Sequence, residues 1–413
     1  MKTFIMLGWR NLWRQKRRSL VVIMSITLGV LMMMFALGLM NGIISQMLDN
    51  SISTKLGHIT INKKGFFENM KLESNFYPNQ HILRQIRKEK DKNIVASAPR
   101  VKTFAMIRTS ESSRGVIVIG VYPDREKKVS KINEYTLADE GGKFLDDPNA
   151  NDILISKSLA TKLDVMVGDK IVLIIQDNKN EMAGVGLTVR GFFQTPVRDY
   201  DNSVVYMGIK RLQAITGLGA NVSEIMIIAT NKEIVDSVKQ HLVKNIGDRS
   251  LEILSWKDMA PNLVSAISLI DKILYIYYAI FFITVVFSIA NTLIMSIMER
   301  FHEIGVMKSI GTRPSQIFFI IMFEALNLGA VGLVAGLTVG VGLIKILSFT
   351  GIDFSVFMEA MRQWGAGSII YPFVYLKDFI VTILVVEFTT VIAAIYPAVK
   401  AARIKPLDAL HYV

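Results

Sequence analysis

Cysteine is absent from the 413 residues. No disulfide can brace the chain, and zinc-thiolate sites, cysteine nucleophiles and a lipid-anchored amino-terminal cysteine are excluded with it. Also missing is the phosphate loop G-x-x-x-x-G-K-[ST], so the chain does not bind a nucleotide by that route. Neither H-E-x-x-H nor G-x-S-x-G occurs, and the five histidines, His58, His81, His241, His302 and His411, are scattered. No catalytic, metal-ligating or cofactor-binding residue can be nominated, and an enzymatic role has no constellation to stand on.

Charge is scarce over four long stretches. Ser19 to Leu48 and Ile273 to Met298 carry none, Pro314 to Ile344 carries only Glu324, and Phe379 to Val399 carries only Glu387. Each exceeds the roughly 20 residues that a helix needs to span about 30 Å of hydrocarbon. In a chain that is 51% hydrophobic, these runs are too long for core helices of a soluble protein. Four transmembrane helices are expected, at 19–44, 271–298, 314–347 and 375–399. The first run is too long for the apolar region of a signal peptide and lacks an A-x-A exit, so it reads as an uncleaved anchor.

The charge that is present lies beside the ends of these spans. Of the net +12, residues 1–18 hold +6, 299–313 hold +1 and 400–413 hold +2. An excess there is the mark of cytoplasmic flanks rather than of a nucleic-acid surface. Both termini and the 299–313 connector are therefore expected inside, in the cell inner membrane, with 45–270 and the loop 348–374 outside. That loop region carries Arg362 against Asp353 and Glu359, which agrees with an outer side.

The segment 45–270 has to fold on a core of its own, and it is long enough to do so. Strand-like runs occur at His58 to Ile61, Val116 to Val121, Asp169 to Ile175, Leu187 to Phe193, Ser203 to Met207 and Glu224 to Ala229. Helical patterns occur at Gln80 to Lys90, Lys157 to Leu163 and Glu233 to Asn245. The expected domain is mixed α+β in two lobes, the second inserted at about 123–222, with turn signals at Tyr77-Pro78, Pro123-Asp124 and Asp147-Pro148.

Within the spans, Gly332, Gly336 and Gly340 recur every four residues and offer a smooth face for another helix. Glu387 falls near mid-membrane, where a carboxylate costs a few kcal/mol unless it is protonated, paired or beside a polar cavity. Glu324 lies nearer the inner end of its span. The connector "ERFHEIGVMKSIG" places Phe301, Ile304, Met307 or Lys308, and Gly311 at helical steps, with Glu299, Arg300, Glu303 and Lys308 supplying charge. Gly311 ends this short helix, and Pro314 opens the next. By pattern alone it is either a docking element or a solvated connector.

The stretch "ERFHEIGVMKSIGTRPSQIFFIIMFEALNLGAVGLVAGLTVG" resembles the coupling helix and third span of the FtsX-type permeases, the group of the macrolide exporter and the lipoprotein-releasing permeases. So do "GWRNLWRQKRRSLVVIMSITLGV", "ILISKSLATKLDVMVGDKIVLI" and "YPAVKAARIKPLDAL", so the likeness covers nearly the whole chain. It implies four transmembrane helices with a large extracytoplasmic domain of porter-like and sabre-like lobes between the first two. It implies a transmembrane subunit of an ABC transporter that does mechanical work outside the membrane. ATP and magnesium would be held by two separate ATPase subunits, and a second permease, identical or homologous, would complete the complex. Glu299, Arg300, Phe301, Glu303, Ile304, Gly305, Lys308 and Gly311 would form the coupling helix against the ATPase, and Trp9 to Arg18 an amphipathic helix at the inner face.

The missing phosphate loop excludes a fused ATPase, and the external segment is large for the cell-division member. Length and spans fit the lipoprotein-releasing permeases, whose partners are membrane lipids, a lipoprotein substrate and, for one subunit, a periplasmic carrier. One departure is the turn "QDNKNEMAGVG", Gln176 to Gly186, where the carrier-capturing subunit has a long proline-containing hook. It implies the hookless subunit, a homodimeric variant, or an exporter of another substrate. Two alternatives stay open: an exporter of peptides, toxins or drugs with an adaptor and outer-membrane duct, and a transmembrane regulator of an external hydrolase.

Overall fold

A computed structural model describes residues 16–90 and 93–405. The basic segment expected at 1–18 lies outside these residues up to position 15, and the tail 400–413 does so from position 406. In chain order the main elements begin with α1 (Lys16–Ser51), β1 (Ile59–Lys63), α2 (Gln80–Lys90), β2 (Ile94–Arg108) and β3 (Ser113–Val121). There follow α3 (Pro123–Val129), β4 (Asp152–Ser156), α4 (Lys157–Leu163), β5 (Lys170–Gln176), β6 (Met182–Phe193), β7 (Val204–Gly208) and α5 (Ile209–Thr216). The chain continues through β8 (Glu224–Ala229), α6 (Val235–Ile246), β9 (Leu251–Ser255), α7 (Pro261–Glu299), α8 (Phe301–Ser309) and α9 (Pro314–Thr350). It closes with β10 (Ile352–Asp353), α10 (Met358–Gln363), β11 (Ile369–Ile370) and α11 (Leu376–Ala402).

Two compact units result. A helical unit takes the chain up to Ile44, Ala266–Asp353 and the chain from Ile369; a globular unit takes Ser45–Ser265 and Phe354–Ser368. The helices α1, α7, α9 and α11 are each long and apolar enough to cross a membrane. Helix α1 runs on past residue 44 and ends in a π-turn at Ile52–Leu56, so it contributes to both units.

In the helical unit, Gly332, Gly336 and Gly340 of α9 lie against Ile26, Val30 and Met34 of α1. A Cβ at Gly336 would sit 2.6 Å from that of Val30, so only glycine allows this approach. Contact is strengthened where the Thr27 hydroxyl donates to the Gly332 carbonyl at 3.2 Å. Gly329 likewise takes the side chain of Thr390, which joins α9 to α11. Around these contacts Val22, Ile26, Val30, Phe281, Val285, Leu328 and Val386 form one buried cluster.

The globular unit has a single mixed sheet with an internal closure. Strands β3, β7, β4, β6, β5 and β2 follow one another edge to edge, and β2 pairs back onto β3, making a six-stranded barrel. The first half of β2 leaves the barrel to pair with β8, which continues through β1 to β9 as an open sheet under α2 and α6. The barrel thus draws in β2 and β3, which precede the insert expected at about 123–222. Alternation along the strands sorts the side chains by face. Ile153, Ile155, Val205 and Met207 enter the main core, while Leu154 and Tyr206 enter a second one.

Arg100 marks the fork, opposite Glu224 of β8 on one side and Val121 of β3 on the other. Its guanidinium is fully buried and donates to both carboxylate oxygens of Glu126 on α3, with Nε at 3.0 Å. Lys102 reaches Glu224 at 2.7 Å, which leaves the group of four charges neutral. Burial alone would lower the Arg100 pKa, but the surrounding partners, Glu126 foremost with Glu224 and Tyr206, together outweigh it and hold the guanidinium charged. Burial lowers that of Lys102 despite Glu224.

Candidate functional site

The connector after α7 folds as the nine-residue helix α8, set by what its residues bury. Ile304 is buried in a cluster with Ile297 of α7, Ile317 and Ile321 of α9, and Ala398 and Ala401 of α11, with Phe301 and Met307 packed beside them. One face of α8 is therefore seated on the ends of three long helices. Gly311, at φ +97°, reverses the chain after it, a conformation that glycine adopts without strain. The next helix then opens with Pro314 at its first position, where the Arg313 amide donates to Gln316 Oε1 at 2.9 Å.

Polar contacts secure the same face. Arg300 donates to Glu303 at 3.3 Å and to the buried Glu324 of α9 at 3.1 Å, while Ser296 donates to the other Glu324 oxygen at 3.4 Å. Glu324 is thus a structural partner for the start of α8. Glu299 is paired with Arg18 at the start of α1. Lys308 donates to the carbonyls of Ala402 at 3.0 Å and Ile404 at 2.5 Å, neutralising the carboxyl end of α11. Arg300, Lys308 and Glu299 are therefore engaged within the helical unit.

The other face is open. His302, Val306, Ser309, Ile310 and Arg313 are exposed, with Val306 at 40% and Ile310 at 79%. Sequence periodicity singled out the packed side; the open side went unnamed, although two bare aliphatic residues beside a charged rim were its signal. Glu387 is half-buried on α11, and its neighbour Phe388 meets Phe282 of α7 at 6.4 Å between rings. Glu387 stands on α11 and Glu324 on α9, where Glu324 is bonded to Arg300 and Ser296.

In the globular unit, β5 and β6 join through the five residues 177–181. The Asp177 carboxylate accepts from the amides of Lys179 and Glu181 at 2.8 Å, and Asn180 takes the left-handed position. This is a tight hairpin rather than a hook. Among the described residues no His, Cys, Asp or Glu cluster could hold a metal ion. The site is a short helix packed on one side against three long helices, with Val306 and Ile310 exposed on the other.

Comparison with known proteins fits that architecture. The family model described as MacB-like periplasmic core domain matches residues 19–245, and that described as FtsX-like permease C-terminal matches 275–406. The lipoprotein-releasing system transmembrane protein LolC of Neisseria meningitidis is 24% identical over 98% of this chain and 98% of its own length. LolE of Haemophilus influenzae is 23% identical over 99% of each. The macrolide export ATP-binding/permease protein MacB of Chlorobium luteolum is 28% identical over 52% of this chain and 28% of its own.

Proposed function

The chain belongs to the family of permeases with a MacB-like periplasmic core domain, and on that premise we propose that it is the membrane subunit of a lipoprotein-releasing ABC transporter. It is an ABC permease subunit of the LolC and MacB type, which implies a partner ATPase and usually a second permease. In the proposed complex the ATPase, which holds ATP and magnesium, grips the exposed face of α8. Its closure tilts α8, and with it the ends of α7, α9 and α11 to which α8 is bonded. Those helices then move the globular unit on the outer side of the inner membrane, which draws a lipoprotein out of the bilayer. Both chain ends lie on the ATPase side.

The observation that carries this reading is the two-sidedness of α8, with Ile304, Arg300 and Lys308 anchored inward and Val306 and Ile310 bare. A lipoprotein cargo is favoured over export of another compound by the extent of the likeness, which runs through 98% of LolC but only 52% of this chain for MacB. The five-residue hairpin after β5 offers no hook, so this reading assigns carrier docking to the other permease subunit.

The test is a Val306→Asp, Ile310→Asp double variant of the full chain, co-expressed with the partner ATPase. Both side chains are exposed, so the thermal midpoint of the permease alone should not move. Binding of the ATPase should fall about tenfold or more, as for the loss of an interface centre. Unchanged binding together with unchanged release would rule out α8 as the docking element.

A further inference from the structure

The loop between α9 and α11 is divided between the two units in an unusual way. Its neck, where β10 pairs with β11 through Ile352 opposite Ile370 and Asp353 opposite Ile369, belongs to the helical unit. Its head, Phe354–Ser368, belongs to the globular unit. A bond from the Phe354 amide to the Ser368 carbonyl at 2.7 Å closes the head where the chain crosses. Gly351, at φ +71°, fixes the neck to the end of α9, and a Cβ there would lie 2.4 Å from the Ile369 side chain.

The head is held by more than surface contact. Arg362 on α10 donates to Asp201 at 2.7 Å and to the Thr195 carbonyl at 3.1 Å, both from the turn between β6 and β7. Asp201 is fully buried and also accepts from the Thr195 amide and hydroxyl. Asn50, near the end of α1, donates to the Gly365 carbonyl at 2.9 Å, and the Gly367 amide donates to Gln46 at 3.2 Å. Gly365 and Ala366 are buried. A buried, charge-assisted bond is costly to break from one side, because the other charge is left without its partner.

We propose that Phe354–Ser368 is a strap through which α9 and α11 pull on the globular unit, and that Arg362 is its positioning residue. The proposal rests on the function given above, in which the ATPase drives these helices. Without the strap the globular unit would be joined to the rest of the chain only through α1 and α7. With it, the turn between β6 and β7 is tied to the other pair of spans as well, and all four long helices act on one body. Arg362 touches no substrate; it sets where the pull is applied.

The natural absence of cysteine permits a direct experiment on the full-length permease with its ATPase in nanodiscs. Hydrogen exchange is followed at 195–201 and 354–368 with and without ATP, in the wild type, Arg362→Ala, and an Arg362→Cys, Asp201→Cys pair joined by a short bismaleimide. Arg362→Ala should raise exchange in both segments by on the order of tenfold or more and abolish the ATP-dependent change at 195–201. ATP hydrolysis should persist, and the cross-linked pair should regain the ATP-dependent change. The proposal is overturned if exchange does not rise in Arg362→Ala, if the ATP-dependent change survives there, if the wild type shows none, or if cross-linking fails to restore it. No cargo enters these readings, so a failure of lipoprotein release in the same nanodiscs counts against the proposed function alone.

Discussion

Asp201 sits fully buried between Thr195 and Arg362, and burial, only partly offset by the Thr195 bonds and the Arg362 charge, pushes its pKa up to about 6 from the ordinary 3.8. Relative to the unfolded chain the fold favours the protonated form, while above about pH 6 the folded carboxyl is ionised and faces the Arg362 charge. The stability this carboxyl contributes is fully present below about pH 3.8 and is lost as pH rises through about 6. Arg362→Ala removes the compensating charge and raises that pKa further, so the variant should lose more thermal stability at pH 8 than at pH 5. Melting curves at the two pH values decide this, and an equal loss at both would contradict it. Gly336 makes a second residue-scale claim. Replacing it with Leu should force α1 and α9 apart and cost about 1–3 kcal/mol by overpacking, whereas Gly342→Ala, which meets open space, should leave the thermal midpoint unchanged.

At the scale of elements, α8 acts as a lever only if its inward bonds hold. Arg300→Ala leaves Glu324 buried without its guanidinium and should cost about 3 kcal/mol or more. The expected readout is loss of lipoprotein release while the partner ATPase stays bound; unchanged release would argue against a role for Arg300 in the lever. Much at this scale could be read from local pattern. The four spans follow from runs with at most one charge, and β1, β3, β5, β6, β7 and β8 from short apolar stretches flanked by turns. Strand β2 has no clear local signal, because Ala98, Pro99 and Arg100 break its apolar rhythm and the partners that permit a buried arginine, Glu126 and Glu224, are distant in sequence. Barrel closure was hidden for the same reason, since the pairing of β2 with β5 has no local signature. In the candidate site, helix periodicity and terminators marked α8. Its bonds to Arg18, Glu324 and the α11 carbonyls join residues far apart in the chain, so which face stays open had to come from the structure.

For the whole molecule, each unit gains its core from a different source. The helical unit packs through glycine contacts and a shared apolar cluster, and the globular unit through a barrel and sheet that share β2. The chain passes between them four times, at Ile44, Ser265, Asp353 and Ser368, so motion imposed on the spans has four routes to the globular unit. In the proposed function these connections carry the pull of the ATPase to the globular unit. The most direct measurement is therefore reconstitution of the permease with its ATPase in vesicles carrying a fluorescent triacylated lipoprotein. ATP should release the lipoprotein from the bilayer, and the Val306→Asp, Ile310→Asp variant should not. Steady ATP hydrolysis by the wild-type complex with the lipoprotein left in the bilayer would contradict the account.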